Sequence, residues 1–132
     1  MDKTDVLARL PIFANLHPRS LQAIAALAVE ESVPAGTELM REGEPAGAFY
    51  VIVSGTVHIE RGGRFVRSMS DGGFLGEIGL VEDAERSATA TCATDCEFIR
   101  LGSHEFGRVV ETFPDVRARI TAAVTRRARA GA

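Results

Sequence analysis

A change of hydrophobic period near residue 30 constrains the fold more than any other feature of the chain. From there to about residue 101 the apolar runs are short, and Gly, Pro, Asp and Ser separate them. Residues 49–53 form a continuous β-branched and aromatic run, and residues 56–60 alternate between polar and apolar side chains. Short, regularly spaced strands of this kind predict an antiparallel roll or barrel.

One turn in this region has a specific prediction. The sequence Arg61-Gly62-Gly63-Arg64 lies between two apolar runs, and the return run contains Phe65, Val66 and Met69. Two adjacent glycines favour a two-residue hairpin, because the turns that fit the strand twist need left-handed backbone. We therefore predict antiparallel neighbours joined at Gly62 and Gly63.

Both ends of the chain have helical patterns. The segment after Pro18 places apolar residues at three-to-four spacing (Leu21, Ile24, Ala25, Leu27 and Ala28), and proline suits a first helical turn. Near the other end, Ser103 is the predicted N-cap of a helix over residues 104–112. Pro114 breaks that helix and starts another, with Val116, Ile120, Ala123 and Val124 as an apolar stripe.

The predicted fold class is therefore α+β, an antiparallel β-roll (a jelly-roll-like double-stranded β-helix) flanked by helices. A chain of 132 residues can bury enough surface to form one domain with its own core. The expected divisions are N-terminal helices in 1–29, the roll in 30–102 with a glycine-rich segment at 72–89, and C-terminal helices in 103–132.

Composition excludes several classes of protein. The formal net charge of -3 and the absence of Trp argue against a strongly basic or aromatic nucleic-acid-binding surface. No apolar run approaches the roughly 20 residues of a membrane span, and the N-terminal residues do not read as a signal peptide. Two cysteines do not make a disulfide framework. We therefore expect a cytoplasmic protein without membrane contact.

The glycine-rich segment contains the candidate binding residues. It reads Gly72-Gly73-Phe74-Leu75-Gly76-Glu77-Ile78-Gly79-Leu80 and, after residues 81–85, Arg86-Ser87-Ala88-Thr89. Glycine-rich chain that enters a helical turn presents unpaired N–H groups to an anion, and Arg86 adds a planar fork of donors for phosphate. The carboxylate of Glu77 suits a sugar hydroxyl. The residues alone thus indicate a ligand with one phosphate and one sugar hydroxyl close together.

Two better-known glycine motifs do not fit this segment. A Walker loop needs Gly-Lys-Ser or Gly-Lys-Thr, and the segment contains no Lys. The dinucleotide fingerprint needs G-x-G-x-x-G after a strand in a βαβ unit, whereas Gly73, Gly76 and Gly79 have a different spacing in an all-β context.

At this point the sequence resembles the cyclic nucleotide-binding domain family, which includes catabolite-activator-type regulators, kinase regulatory subunits and gated channels. The glycine-rich segment is similar to the family's phosphate-binding cassette. The early strand signatures are also similar: Val33-Pro34-Ala35-Gly36-Thr37, Gly43-Glu44 and Tyr50-Val51-Ile52-Val53-Ser54-Gly55-Thr56-Val57. The resemblance covers nearly the whole chain.

The resemblance implies a role for each residue of the segment. Arg86 would pair with the cyclic phosphate, and Glu77 would accept a hydrogen bond from the ribose 2′-hydroxyl. The remaining members of the implied ligand-binding set are Gly76, Ile78, Gly79 and Ala88, near the ligand, and Ser87, which would contact phosphate or base.

The implied function is a regulatory sensor that binds a cyclic nucleotide reversibly, while the C-terminal helix repacks as a lid. We expect cAMP as the ligand because the bacterial members of the family mostly use it, and cGMP is the other candidate ligand. No catalytic constellation is visible, so we expect no enzyme activity. The alternative is a β-roll interaction or dimerisation module that needs no ligand.

The C-terminus departs from the catabolite-activator pattern. The polar adenine contacts of that group would fall near Gly131 and Ala132, and no helix-turn-helix follows. We therefore expect no direct DNA binding, an unidentified effector protein or fused domain, and a homodimer contact through the C-terminal helix as one option. The arginines at 117, 119, 126, 127 and 129 are interpreted as a solvated helix face.

No cofactor or metal is expected. His17, His58 and His104 are scattered through the sequence and form no H-x-H pair. Cys92 and Cys96 are interpreted as buried or half-buried thiols that flank a turn between two strands.

Overall fold

A computed structural model describes residues 2–44, 47–75 and 88–129, with side chains described as far as Ala122. In that part of the chain the N-terminal elements are α1 (Lys3–Ala8), a 3₁₀ turn (Pro11–Phe13) and α2 (Pro18–Leu27). The strands are β1 (Val29–Val33), β2 (Glu38–Met40), β3 (Ala48–Ser54), β4 (Val57–Arg61), β5 (Arg64–Met69), β6 (Phe74–Leu75), β7 (Thr89–Cys92) and β8 (Cys96–Gly102). The C-terminal helices are α3 (Ser103–Thr112) and α4 (Pro114–Arg129).

The strands form two four-stranded sheets whose pairs are all antiparallel. Sheet 1 has the order β1-β8-β3-β6, and sheet 2 has the order β2-β7-β4-β5. The predicted fold class, an α+β β-roll with flanking helices, is confirmed.

The hairpin between β4 and β5 has the predicted turn. Arg61 pairs with Arg64, and Gly62 and Gly63 have φ values of 60° and 76°. A side chain would be strained in this backbone region, so the two glycines select the tight turn. Along β4 the predicted alternation also holds, because Val57 and Ile59 are buried while His58 and Glu60 are exposed.

The N-terminal region is helical, and its C-terminal boundary differs from the sequence prediction. Helix α2 begins at Pro18 as predicted, and the Nδ1 of His17 accepts a hydrogen bond from the Arg19 N–H at 3.1 Å. The helical segment ends earlier than predicted, because β1 begins at Val29, which pairs with Arg100. A 3₁₀ turn lies between the two helices.

The predicted N-cap of α3 was wrong by one residue. Helix α3 begins at Ser103, and Gly102 is the N-cap, with extended backbone at the end of β8. The Glu105 carboxylate lies against Gly102, where a Cβ would overlap it. The Ser103 N–H donates a hydrogen bond to the Gly47 carbonyl at 3.1 Å. This bond attaches the first residue of α3 to the residue before β3.

Two hydrophobic cores lie on opposite faces of sheet 1. The first, which we call the helix-side core, joins the helices to one face of β3 and β8, and its buried members are Val6, Leu7, Leu10, Ile12, Phe13, Leu21, Ile24, Ala25, Ala28, Phe49, Val51, Ile99, Leu101, Phe106, Val109, Val116 and Ile120. The second, the inter-sheet core, lies between the sheets and contains Ile52, Val57, Ile59, Leu75, Ala88, Ala90, Cys92, Cys96 and Phe98. Among the described helices, none is long and apolar enough to span a membrane.

Candidate functional site

Most of the predicted binding residues lie outside the described part of the chain. These residues are Gly76, Glu77, Ile78, Gly79, Arg86 and Ser87. Ala88 is described, and it is 5% exposed within the inter-sheet core. The structure therefore describes only the residues that flank the segment and the surfaces beside them.

The two ends of the segment belong to different sheets. Leu75 pairs with Tyr50 at the β6 edge of sheet 1. Ala88 leads into β7, which lies between β2 and β4 in the middle of sheet 2. Leu75 and Ala88, the described residues on either side of the segment, are both buried in the inter-sheet core.

Polar contacts join three loops at the beginning of β7. The Thr89 hydroxyl accepts a hydrogen bond from the Glu42 N–H at 3.0 Å. The Glu42 carboxylate in turn accepts from the Gly62 N–H at 2.9 Å. The loop after β2, the β4–β5 turn and the start of β7 are therefore held together at one end of the roll.

A row of side chains crosses the inner face of sheet 1 beside Leu75. Register places Arg100 opposite Tyr50, and Tyr50 stacks edge-on against Phe98 at 5.6 Å between ring centroids. The Arg100 Nε lies 3.5 Å from a Glu31 carboxylate oxygen. Tyr50 and Arg100 also line a groove of about 320 Å³, so polar groups reach the interior of the roll at this end.

Arg41, at the mouth of this groove, already has carboxylate partners. Its Nε is 2.7 Å from Glu38 and its Nη1 is 3.5 Å from Glu44. The hydrogen bond and the charge of Glu38, followed by the charge of Glu44, raise the pKa of Arg41 above its ordinary value. An anionic ligand would have to compete with these two carboxylates, so Arg41 is a poor anchor.

No sequence motif indicated Arg67 as a candidate. This residue lies on β5 opposite Ile59, a buried residue of the inter-sheet core, and its Nε atom is buried. A two-glycine hairpin in regular register would place Arg67 opposite the exposed His58. A register shift between Ile59 and Glu60 turns it to the inner face instead.

The two cysteines flank a turn, as predicted, and both are free thiols buried in the inter-sheet core. The Cys96 thiol donates to the Thr94 carbonyl at 3.3 Å. Burial, followed by the hydrogen bond and the charge of Cys96, raises the pKa of Cys92 to about 12. A thiol with so high a pKa is protonated at neutral pH and is a poor nucleophile.

The histidines have separate surroundings. His17 caps α2, and His58 packs edge-on against Phe65 at 5.4 Å between ring centroids. Within the described ranges, no group of three or more His, Cys, Asp or Glu side chains could hold a metal ion.

The C-terminal helix is attached to the N-terminal region. Val116 and Ile120 are fully buried in the helix-side core, as their spacing predicted. The Arg119 Nη1 donates to the carbonyls of Ile12 and Ala14. The interpretation of Arg119 as part of a solvated face was therefore wrong, whereas Arg117 is exposed. The side chains of Ala123, Val124, Arg126, Arg127 and Arg129 lie outside the described set.

Comparisons with known proteins agree with this architecture. The chain is 30% identical over 115 residues to the cAMP-dependent protein kinase regulatory subunit of Aspergillus niger, and the match covers 86% of the chain but 28% of that protein. The catabolite activator protein of Thermus thermophilus superposes with a TM-score of 0.81 at 27% identity, covering 92% of this chain and 59% of that one. The regulatory domain of Toxoplasma gondii PKA, solved with cAMP, superposes with a TM-score of 0.76 at 27% identity, covering 82% and 43%.

A family model also matches the sequence. It is the model of the cyclic nucleotide-binding domain, and it matches residues 30–113, which include both sheets apart from Val29, the segment between Leu75 and Ala88, and helix α3. The chain therefore belongs to the cyclic nucleotide-binding domain family.

Proposed function

We propose that the chain binds a cyclic nucleotide reversibly, with cAMP as the expected ligand, and that residues 76–88 supply the main contacts. The observation that carries this proposal is the family match over residues 30–113, which spans the whole segment. The burial of Leu75 and Ala88 in the inter-sheet core supports it, because a ligand held by the segment would lie against the interior of the roll. The Toxoplasma gondii relative solved with cAMP supports the choice of ligand.

The proposed contacts follow from the matching motif. Arg86 pairs with the cyclic phosphate through a bidentate fork, which a lysine cannot reproduce. Glu77 accepts from the ribose 2′-hydroxyl. Backbone groups of Gly76, Ile78, Gly79 and Ala88 lie near the ligand, and Ser87 contacts phosphate or base.

The proposed output is a change in the position of the C-terminal helix. Val116 and Ile120 bury the first turns of α4 in the helix-side core, and sheet 1 separates that core from the inter-sheet core. A ligand shifts such an equilibrium only through different affinities for the two arrangements. The signal would then reach an effector protein or a fused domain.

Calorimetric titration with cAMP and cGMP tests the proposal directly. Arg86→Ala should cost about 2–5 kcal/mol of binding free energy, because it leaves a buried phosphate unpaired, and Arg86→Lys should recover little. Arg64→Ala is the control, since it removes an exposed arginine from β5. An unchanged Kd for Arg86→Ala would contradict the assignment, and a wild-type protein that binds neither nucleotide would favour the ligand-independent interaction module.

The same titration tests Glu77. A 2′-deoxy cyclic nucleotide should bind wild type more weakly, and Glu77→Ala should remove most of that difference. An equal penalty in the two proteins would give Glu77 another role. Phosphate and ribose contacts are common to cAMP and cGMP, so we expect a preference of roughly tenfold or less between them.

A further inference from the structure

Strand β1 forms a free edge of sheet 1, at the opposite side of the sheet from β6. In the described ranges it pairs with β8 alone, and no other backbone hydrogen bond reaches residues 29–33. Val29, at the start of the strand, is a large hydrophobic residue with 50% of its surface exposed. Because an edge strand presents unpaired N–H and C=O groups, another strand can be added beside β1.

A groove of about 300 Å³ lies beside this edge. Register places Glu30 opposite Ile99, which belongs to the helix-side core. It also places Ser32 opposite Glu97, so the carboxylates of Glu30 and Glu97 are both on the helix side of sheet 1. Ile99 and Val6 of α1 contribute to the apolar part of the lining. The groove thus combines an apolar surface with two carboxylates next to the strand edge.

The two carboxylates have no cationic partner among the described residues. Both Glu30 and Glu97 are exposed, and neither takes part in the ion pairs found there. Glu31, the third carboxylate at the groove, already has an arginine of β8 at 3.5 Å. Lys3 on α1 directs its Nζ to the carbonyl of Ala28 at 2.8 Å. The edge of the groove therefore has an excess of negative charge.

A second copy of β1 is a poor occupant of this edge. An antiparallel pair of two β1 strands would bring Glu30 and Glu31 of both copies close together, and like charges on neighbouring strands are destabilising. A basic segment has the opposite effect, because each Arg or Lys side chain next to a carboxylate adds an attractive pair. Charge complementarity therefore selects a basic partner.

We propose that the β1 edge binds an extended, basic segment of a partner protein, which adds to sheet 1 as a fifth strand. Alternate side chains of the added strand point to the helix side, where Arg or Lys meets Glu30 and Glu97. The side chains between them point to the inner side, next to Val29, and are apolar. This inference does not rest on nucleotide binding, since Leu75, the last described residue before the candidate binding segment, lies at the other edge of sheet 1.

A short synthetic peptide in which arginine and valine alternate is the probe. Without nucleotide, we expect it to bind wild type and to slow hydrogen exchange at the amides of residues 29–33. Two control peptides should bind about tenfold more weakly. The first has the same composition with its arginines adjacent, so that they cannot all face the groove. The second has a central proline, which removes an N–H from the added strand.

A double variant, Glu30→Gln with Glu97→Gln, tests the residues of the groove. It should weaken binding of the alternating peptide about tenfold, because two charge pairs are lost while the size of the side chains is kept. Glu60→Gln with Glu111→Gln is the matched control, since it makes the same change in net charge at exposed positions of β4 and α3. This control should bind the peptide as wild type does.

Several outcomes would overturn the inference. Equal binding of the alternating peptide and the adjacent-arginine peptide would reduce the contact to unspecific attraction of charge, and equal losses in the two double variants would have the same meaning. Absence of binding, or protection of amides outside β1, would show that the carboxylates only shield the edge from other strands. Titration with cAMP and cGMP is a separate measurement, so this proposal and the proposed function fail independently.

Discussion

The two faces of sheet 1 support cores of different composition. The helix-side core contains large side chains, and Phe13, Phe49 and Phe106 are each at most 1% exposed within it. Phe49 and Phe106 stack with ring centroids 4.9 Å apart. The inter-sheet core is built mainly from smaller side chains, such as Ala88 and Ala90.

On the proposed function, the helix-side core supplies stability and the inner face of the roll supplies ligand binding. Large, interlocking side chains on the helix side fill the space between helices and sheet, so that face resists change. The inner face of the roll combines small side chains with polar groups, namely Arg67, Arg100 and Glu31. A ligand needs space and polar partners, and the groove of about 320 Å³ lined by Tyr50 and Arg100 offers both.

The largest expected effect is on the helix side. Phe49→Ala should lower the free energy of unfolding by about 3–5 kcal/mol, because it leaves a cavity next to Phe106 and Phe74. Urea denaturation measures the change. A loss below about 1 kcal/mol would mean that the helix-side core is not the main source of stability, and the comparison of the two cores would fail.

The sequence contained most of the information needed for the architecture. Periodicity located the flanking helices and the strand-rich centre, and Gly62-Gly63 defined the hairpin. It did not predict that Arg67 faces inward, because a register shift within β5 reverses the side-chain direction without any local signal in residue type. Strand alternation alone would have left this arginine on the outer surface.

The candidate site shows a similar division. Motif spacing predicted residues 76–88 as the binding segment, and the described residues beside residues 76–87, Leu75 and Ala88, are both buried in the inter-sheet core. The sequence contained no motif that indicated the long-range contacts. Arg119 reaches the carbonyls of Ile12 and Ala14, more than 100 residues earlier in the chain. Only tertiary packing brings these groups together.

A pair of glycine substitutions sharpens the comparison of the cores. Gly55 has a φ of 108°, and a Cβ there would lie 2.5 Å from the Cys96 Sγ and 2.6 Å from the Asp95 carbonyl oxygen. Gly55→Ala should therefore destabilise the inter-sheet corner by about 1–3 kcal/mol. Gly107 lies within α3, where an added Cβ would have no atom of the described residues within 4 Å.

Gly107→Ala should have the opposite sign, with a gain of about 0.5–1 kcal/mol from helix propensity. Thermal unfolding of the two variants beside wild type measures both effects. If both substitutions were neutral, the corner at Gly55 would be able to relax around a methyl group, and the close contact with Cys96 would not constrain the roll.

The last prediction concerns the pH dependence of the free energy of unfolding. The contribution of Cys92 to that dependence is small at neutral pH and larger in alkali. Its pKa in the folded protein is about 12, mainly because of burial, whereas an exposed thiol ionises near pH 8.5. A pKa raised by folding means that the unfolded chain loses its proton first as the pH rises. This contribution to stability is therefore complete below about pH 8.5 and is lost progressively as the pH approaches 12.

Denaturation between pH 7 and pH 11 should show this dependence as a slope. The free energy of unfolding of wild type should fall above about pH 8.5, and Cys92→Ala should show a shallower fall, although it is less stable at neutral pH. Val109→Ala is the control, because Val109 is buried in the helix-side core, and its curve should run parallel to that of wild type at a lower value. Other groups that ionise in alkali are common to all three proteins, so the difference in slope reports on Cys92 together with its interaction with Cys96. Equal slopes for wild type and Cys92→Ala would show that the inter-sheet core does not hold this thiol in its neutral form.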